Sequence, residues 1–471
     1  MPFARILRSS ALMGGAQVVV LAAGFVRAKA IALILGASGV GLIGIFNAFS
    51  GNVSSLAGWG LGTSGVRLIA GAQEDEKPSK VAAVRRFGWT LSLLGLGGAL
   101  IAFWPVARVT FASGQYATEM AIVALAVPCV IASSMWSAIV QASGRIASLA
   151  KVQVAGALTG LLLGLPAIYL WGTLGIALSI FLAAAVPAFV LWRTAHAACP
   201  PPAIAHVDRA DLRQLAKLGG ALMVVGWLGQ LSAYVVRLAI VRQEGLEAAG
   251  YYQAAFAISG SLPGFVFAAM GADFFPRVAA AKDEVEALEI TEKQILACLL
   301  LGSPLIVALL TLGKLSIHLL YADTFDASIP LLTWMTWGVF MRLVSWPLGY
   351  RMLARGSSRV LIVFEGAAGI IAAIAPAFLM KWAGLNGAAM GFFWASALYA
   401  MAQLAYLRWR FGVMVGWVTL QTVAAAMLLI FCGQLSAMLM PGQFFGIIPT
   451  VISTLISWVL YRRMAAKEAN R

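Results

Sequence analysis

Apolar residues run along this chain in blocks long enough to cross a bilayer, broken by short polar interruptions. A membrane-spanning helix needs about 20 consecutive apolar residues. On that measure the pattern predicts fourteen spans: 10–35, 40–69, 87–108, 119–142, 151–171, 174–193, 218–241, 249–275, 294–313, 328–350, 359–380, 385–407, 414–438 and 444–461. The blocks are too long, and lack the two-residue alternation, for barrel strands. The fold class expected is an all-α integral membrane protein.

Composition agrees. Charged residues make up 11% of the chain and hydrophobic residues 61%, against about 25% charged in an average soluble protein. The longest polar interruption is 194–217, with its Cys199-Pro-Pro-Pro202 run. No interruption has room for a nucleotide-binding domain, and no phosphate-binding Gly-Lys-Ser/Thr loop occurs. No apolar block carries a small-residue cleavage site, so the first span is expected to be retained. The four cysteines and three histidines show no ligand spacing, and neither a metal nor a cofactor is expected.

A net charge of +15 points to nucleic acid only until the charges are placed. With the N-terminus in the cytoplasm, 24 Lys and Arg fall on the cytoplasmic side and 4 on the other. Such a bias predicts both termini inside, with anionic headgroups rather than nucleic acid as the counter-charge. The remaining five cations, Arg27, Lys29, Arg67, Arg237 and Arg342, lie within the apolar blocks. A charge in hydrocarbon costs roughly 2.5–3.5 kcal/mol on insertion scales. Keeping five predicts a polar, cation-lined cavity between helices and an anionic substrate.

The chain also repeats itself. Residues 38–75 align without gaps on 247–284, placing Gly41 on Gly250, Ser50 on Ser259 and Gly62 on Gly271. Arg27 falls on Arg237, Gly172 on Gly384 and Gly175 on Gly387. An even number of spans per half makes the two repeats parallel. The organisation expected is an N-lobe over 1–199 with spans one to six, and a linker over 200–217. A C-lobe over 218–411 holds spans seven to twelve. Spans thirteen and fourteen with a cytoplasmic tail occupy 412–471.

Several residues resemble a known group. Arg27-Ala-Lys29, Leu35-Gly36-Ala-Ser38-Gly-Val-Gly41 and Val66-Arg67-Leu-Ile-Ala70 resemble the start of bacterial O-antigen and exopolysaccharide flippases. These form the polysaccharide-transport branch of the multidrug/oligosaccharidyl-lipid/polysaccharide exporter superfamily. Leu320-Tyr321-Ala-Asp-Thr-Phe325 and Leu353-Ala354-Arg355-Gly356 resemble turns of the second half. The resemblance covers about residues 5–411 and implies movement of an undecaprenyl-diphosphate-linked oligosaccharide between leaflets of the inner membrane. It implies a basic residue late in span one, met by Arg27 or Lys29, and one late in span seven, met by Arg237. Many members have twelve spans; fourteen also occur among lipid II flippases, and that alternative stays open. A multidrug exporter would instead favour acidic cavity residues. A membrane polymerase or glycosyltransferase would carry a large extramembrane loop. Membrane lipids, and a polysaccharide polymerase and glycosyltransferases, are the partners expected.

The substrate-binding candidates are Arg27, Lys29, Arg237 and Arg342 for diphosphate, since guanidinium pairs suit phosphate oxygens, and Asn47 and Asn52 for sugar hydroxyls. Arg27 and Lys29 sit about 200° apart around a helix, so both face one cavity only if the helix bends. Arg67 and Asp273, at nearly equivalent repeat positions, are gate or ion-coupling candidates, as an ion pair or as an entry or proton site. Gly58-x-x-x-Gly62 fits close helix packing. Glu365 reads as a solvated end residue. Trp334, Trp337 and Trp346, around Arg342, read as packing.

Overall fold

The computed structural model describes residues 2–112, 114–199, 207–355, 358–412, 415–439 and 448–457. Among these the regular structure is helical throughout. The helices are α1 (Pro2–Ala57), α2 (Leu61–Ala70), α3 (Lys77–Phe111), α4 (Ala117–Ala142), α5 (Ile146–Leu162), α6 (Gly164–Ala198) and α7 (Arg209–Ala279). They continue with α8 (Glu284–Thr311), α9 (Gly313–Leu320), α10 (Ser328–Arg355), α11 (Ser358–Ala383), α12 (Leu385–Phe411) and α13 (Trp417–Leu439).

Nine helices are long and apolar enough to span a bilayer among the described residues. Two of them, α1 and α7, each consist of two helices joined across a kink at a glycine and are long enough to hold two spans. With α5, α10 and the apolar helix at 448–457, the number of helices is roughly that of the fourteen spans the hydropathy pattern predicts.

The kinks are placed by the duplication. Gly36 in α1 has φ 65°, ψ −162°, and Gly245 in α7 has φ 90°, ψ 176°. They stand 209 positions apart, the offset of the repeat. This region of backbone space is essentially closed to residues with a Cβ. The same holds for Gly172 (φ 55°, ψ −121°) and Gly384 (φ 53°, ψ −144°). Four sharp changes of direction therefore fall at glycine. Pro128, Pro187, Pro304, Pro347 and Pro376 are carried inside continuous helices.

Packing divides the chain into two compact units, Met1–Gly250 and Tyr251–Arg471. In the first, α4 is the central helix, packed against α3, α6 and α2. Met120, Val123, Val127, Met135 and Ile139 along it are fully buried. The first limb of α7 also belongs to this unit. It is held by Lys80 to Asp211 (2.8 Å), by the Trp59 indole donating to the Ala216 carbonyl (2.8 Å), and by Thr110 and Tyr234 sharing a 2.6 Å hydrogen bond. The lobes expected from the repeat, 1–199 and 218–411, divide the sequence, and the packing division falls at Gly250. In the second unit α8, α10, α12 and α13 close around Ile306, Val307, Phe340, Leu343 and Ile430.

The outer surface is apolar. Leu93, Leu94, Ile101, Leu170, Ile374 and Phe378 are exposed, as lipid-facing residues are and a soluble surface rarely is. Among the exposed tryptophans, Trp382, Trp409 and Trp417 stand near helix ends and Trp171 beside the Gly172 kink, where amphipathic rings can anchor at membrane interfaces. The chain is a multi-pass membrane protein.

Candidate functional site

Span two is where local structure departs from expectation. Instead of Gly58-x-x-x-Gly62 packing, the helix breaks. Trp59 (φ 49°) and Gly60 (φ 57°) are both left-handed, and α2 starts anew at Leu61. A Cβ at Gly62 would meet only Ser134, at 3.9 Å, so that glycine mediates no close helix crossing. Non-glycine residues with positive φ are uncommon and costly. Here the strained Trp59 is tied down by its bond to the Ala216 carbonyl. The break redirects α2, and its residues Gly62, Thr63, Val66 and Arg67 line a cavity inside the first unit.

That cavity, of about 930 Å³, is bounded by α1, α2, α4, α5 and α6. Two of the five intramembrane cations line it, Arg27 from α1 and Arg67 from α2. Arg27 sits nine residues before the Gly36 kink, about 14 Å along the helix. Its Nη2 donates to Ser179 Oγ at 2.5 Å, and Ser179 donates in turn to the Ile176 carbonyl at 2.7 Å. Gly160 makes room for the guanidinium, since a Cβ there would stand 3.2 Å from Nη1. Arg27 Nε is fully buried and has no hydrogen-bond partner among the described residues. Arg67 is exposed to the cavity, with no hydrogen bond or ion pair among the described residues. No carboxylate is among the described residues that line it. Arg27 Nε is a buried donor without an acceptor among the described residues, so an anion entering this space would gain from donors already in place.

The other candidates lie elsewhere. Lys29 and Arg237 do not line this cavity. Arg237 is buried and donates from Nη1 to the Ala233 carbonyl of its own helix at 2.8 Å. Asn52 donates to the carbonyls of Ala48 and of Gln230 on α7, both at 2.9 Å, so its amide joins α1 to α7. Asn47 is exposed. The side chain of Asp273 lies outside the described residues.

Arg342 stands in the second unit, exposed, with its guanidinium 4.8 Å from the centre of the Phe392 ring. Tyr252, Glu365 and Tyr399 are its electrostatic neighbours. Glu365 is not a solvated end residue: it accepts a 2.5 Å hydrogen bond from the Tyr399 hydroxyl. The tryptophans around Arg342 pack on rings and side chains. Trp346 lies 4.5 Å from Tyr350, Trp334 lies 5.7 Å from Phe393, and Trp337 donates to Gln434 at 2.7 Å.

Sequence reasoning passed over Ser179, Trp59 and the polar wall of α4. Ser133, Ser137 and Gln141 recur four residues apart within an apolar span, which marks one helix face. That signal was available. Ser179, 152 positions from Arg27, had none.

Solved structures similar to this chain are transporters. A lipid II flippase MurJ in an inward closed conformation matches with TM-score 0.73 and 12% identity, over 99% of this chain and 100% of that one. A multidrug resistance MATE family transporter of the MOP superfamily, inward-facing, matches with TM-score 0.65 and 16% identity, over 84% and 94%. A MOP superfamily transporter from Pyrococcus furiosus, described by a binding pocket of reversed polarity, matches with TM-score 0.56 and 14% identity, over 86% and 95%. At these identities the likeness is one of fold. No curated protein matches the chain. Residues 6–282 match the family described as polysaccharide biosynthesis protein; this is more than half of the chain, which therefore belongs to that family.

Proposed function

We propose that the protein is a flippase that moves an undecaprenyl-diphosphate-linked oligosaccharide, an O-antigen or exopolysaccharide repeat unit, from the cytoplasmic to the periplasmic leaflet. The observation that carries this reading is Arg27, half-buried with an unpartnered Nε, in a cavity with no carboxylate among its described lining residues, in a chain of the polysaccharide biosynthesis family. The anionic diphosphate supplies the missing acceptor, and the polyprenyl tail stays in lipid. The membrane is the bacterial inner membrane, with both termini in the cytoplasm. Translocation proceeds by alternating access, with no covalent step. Lys29, Arg67, Arg237 and Arg342 are the further cations that take part in substrate binding or gating. Asp273 stands with Arg67 as gate or coupling residue. A polysaccharide polymerase and glycosyltransferases act before and after it.

The test is complementation of a flippase-deficient strain at matched membrane levels. Arg27→Gln should abolish or severely reduce surface glycan, and Arg27→Lys should keep part of it, because charge survives while the two-pronged geometry does not. Wild-type transport by Arg27→Gln would overturn the anionic-headgroup mechanism. The MurJ-like fold favours lipid II as the second reading. Rescue of a lipid II flippase deletion, with no rescue of the O-antigen defect, would establish it. The described lining of this cavity offers cations and no carboxylate, which favours an anionic substrate over an organic cation.

A further inference from the structure

The geometry points to a glycan-recognition wall inside the first unit, formed by Ser133, Ser137 and Gln141 of α4 with Gln153 of α5. It binds the uncharged sugar portion of the substrate edge-on, by hydrogen bonds alone. The inference deepens the flippase reading and rests on it.

The four residues line the cavity that holds Arg27 and Arg67. Along α4 the serines and glutamine occupy positions i, i+4 and i+8, a single face about 12 Å long. The opposite face of the same helix is sealed by Met135, Ala138 and Ile139. A hydroxyl in an apolar helix ordinarily satisfies itself on the carbonyl four residues back. Neighbouring Ser134 does this, donating to the Val130 carbonyl at 3.1 Å. Ser133, Ser137, Gln141 and Gln153 make no side-chain hydrogen bond among the described residues, and none of them is buried. Their donors and acceptors are thus open to the cavity. Hydroxyls and primary amides each offer both donors and acceptors, the complement of a sugar's own hydroxyl and acetamido groups.

The remaining lining narrows the ligand. Among the described residues it contains no aromatic ring and no carboxylate; its apolar members are aliphatic, such as Val20, Val130 and Leu191. Planar hydrophobic compounds and organic cations have nothing to stack on or pair with. A sugar held here is read through its polar edge. A site built to hydrogen-bond hydroxyls discriminates strongly against ligands lacking them.

The experiment is native mass spectrometry of the detergent-purified protein with two probes. One is undecaprenyl diphosphate. The other is a solvent extract of lipid-linked glycans from the membranes of the cells that make the protein. Wild type should bind the glycolipid at least about tenfold more tightly than undecaprenyl diphosphate, as a few hydrogen bonds of ordinary strength allow. Ser133→Ala/Ser137→Ala/Gln141→Leu should lose most of that ratio while binding undecaprenyl diphosphate as wild type does. Gln153→Leu, a single change at an exposed position, should lose part of it and serves if the triple variant is unstable. A preference kept in full by these variants overturns the wall and leaves the flippase reading standing. Equal binding of both probes to wild type does the same. Failure of wild type to bind either probe overturns the flippase reading itself.

Discussion

Gly41 and Gly250, equivalent positions of the two repeats, lie against each other in the first unit. A Cβ on Gly41 would stand 2.5 Å from the Leu246 carbonyl oxygen and 3.0 Å from the Gly250 nitrogen. A Cβ on Gly250 would collide with the carbonyl of Ala37. Ala37 and Leu246 are themselves repeat equivalents, 209 positions apart, so the contact is self-complementary, as at a two-fold interface. The obstacles are backbone atoms, which cannot rotate away. Gly250→Ala and Gly41→Ala should therefore each lower the thermal stability of the purified protein, Gly250→Ala by more. A Gly250→Ala protein that melts with wild type would show that this crossing is not tightly packed.

Gly36 and Gly245 test a different cost. Neither would bring a Cβ within 4 Å of another group, so only the backbone angles resist substitution. Replacement by alanine should cost about 1–3 kcal/mol at either site, with little dependence on side-chain size. If Gly245→Val cost several times more than Gly245→Ala, steric crowding would be the controlling term instead.

Lys80 and Asp211 tie α3 to the start of α7 at 2.8 Å, with 20% and 5% of their side chains exposed. The hydrogen bond that Lys80 donates to Asp211, foremost among the causes, raises the Lys80 pKa above its ordinary value of 10.5. A raised lysine contributes its stability in full below the unfolded pKa and loses it as pH climbs through the folded one. The contribution should thus be flat from pH 6 to 9 and fade only above about pH 10.5. Lys80→Ala leaves a buried carboxylate unpaired and should destabilise by about 1–3 kcal/mol. Lys80→Met/Asp211→Leu should recover much of that loss. A double variant as unstable as the sum of the singles would mean that the two groups act independently.

Reporter fusions test the orientation. Fusions after residues 115, 246 and 325 should report the periplasm, and those after 80, 205 and 285 the cytoplasm. Inverted signals in the second half alone would contradict two parallel repeats.

Much of the fold is legible in one dimension. Bilayer thickness is a length, and apolar blocks either meet it or do not; hence about fourteen crossings could be counted from residue order. The repeat was legible too, because the kinks at Gly36 and Gly245, and at Gly172 and Gly384, require a residue without a Cβ. The presence of five cations in apolar blocks was likewise a matter of composition. Their grouping was not. The cavity takes Arg27 and Arg67, with Ser179 as partner, and Arg237 turns to its own helix. Which way a side chain faces depends on helices packed beside it from distant parts of the chain. Hydropathy is a local sum and carries no such information. The break at Trp59 and Gly60 shows the same limit: Gly58 and Gly62 have a packing spacing, yet the bond from the Trp59 indole to Ala216, 157 positions away, accompanies a turn there. Residue order thus determined roughly how many helices cross and where they kink. Tertiary packing decided which polar groups share a space.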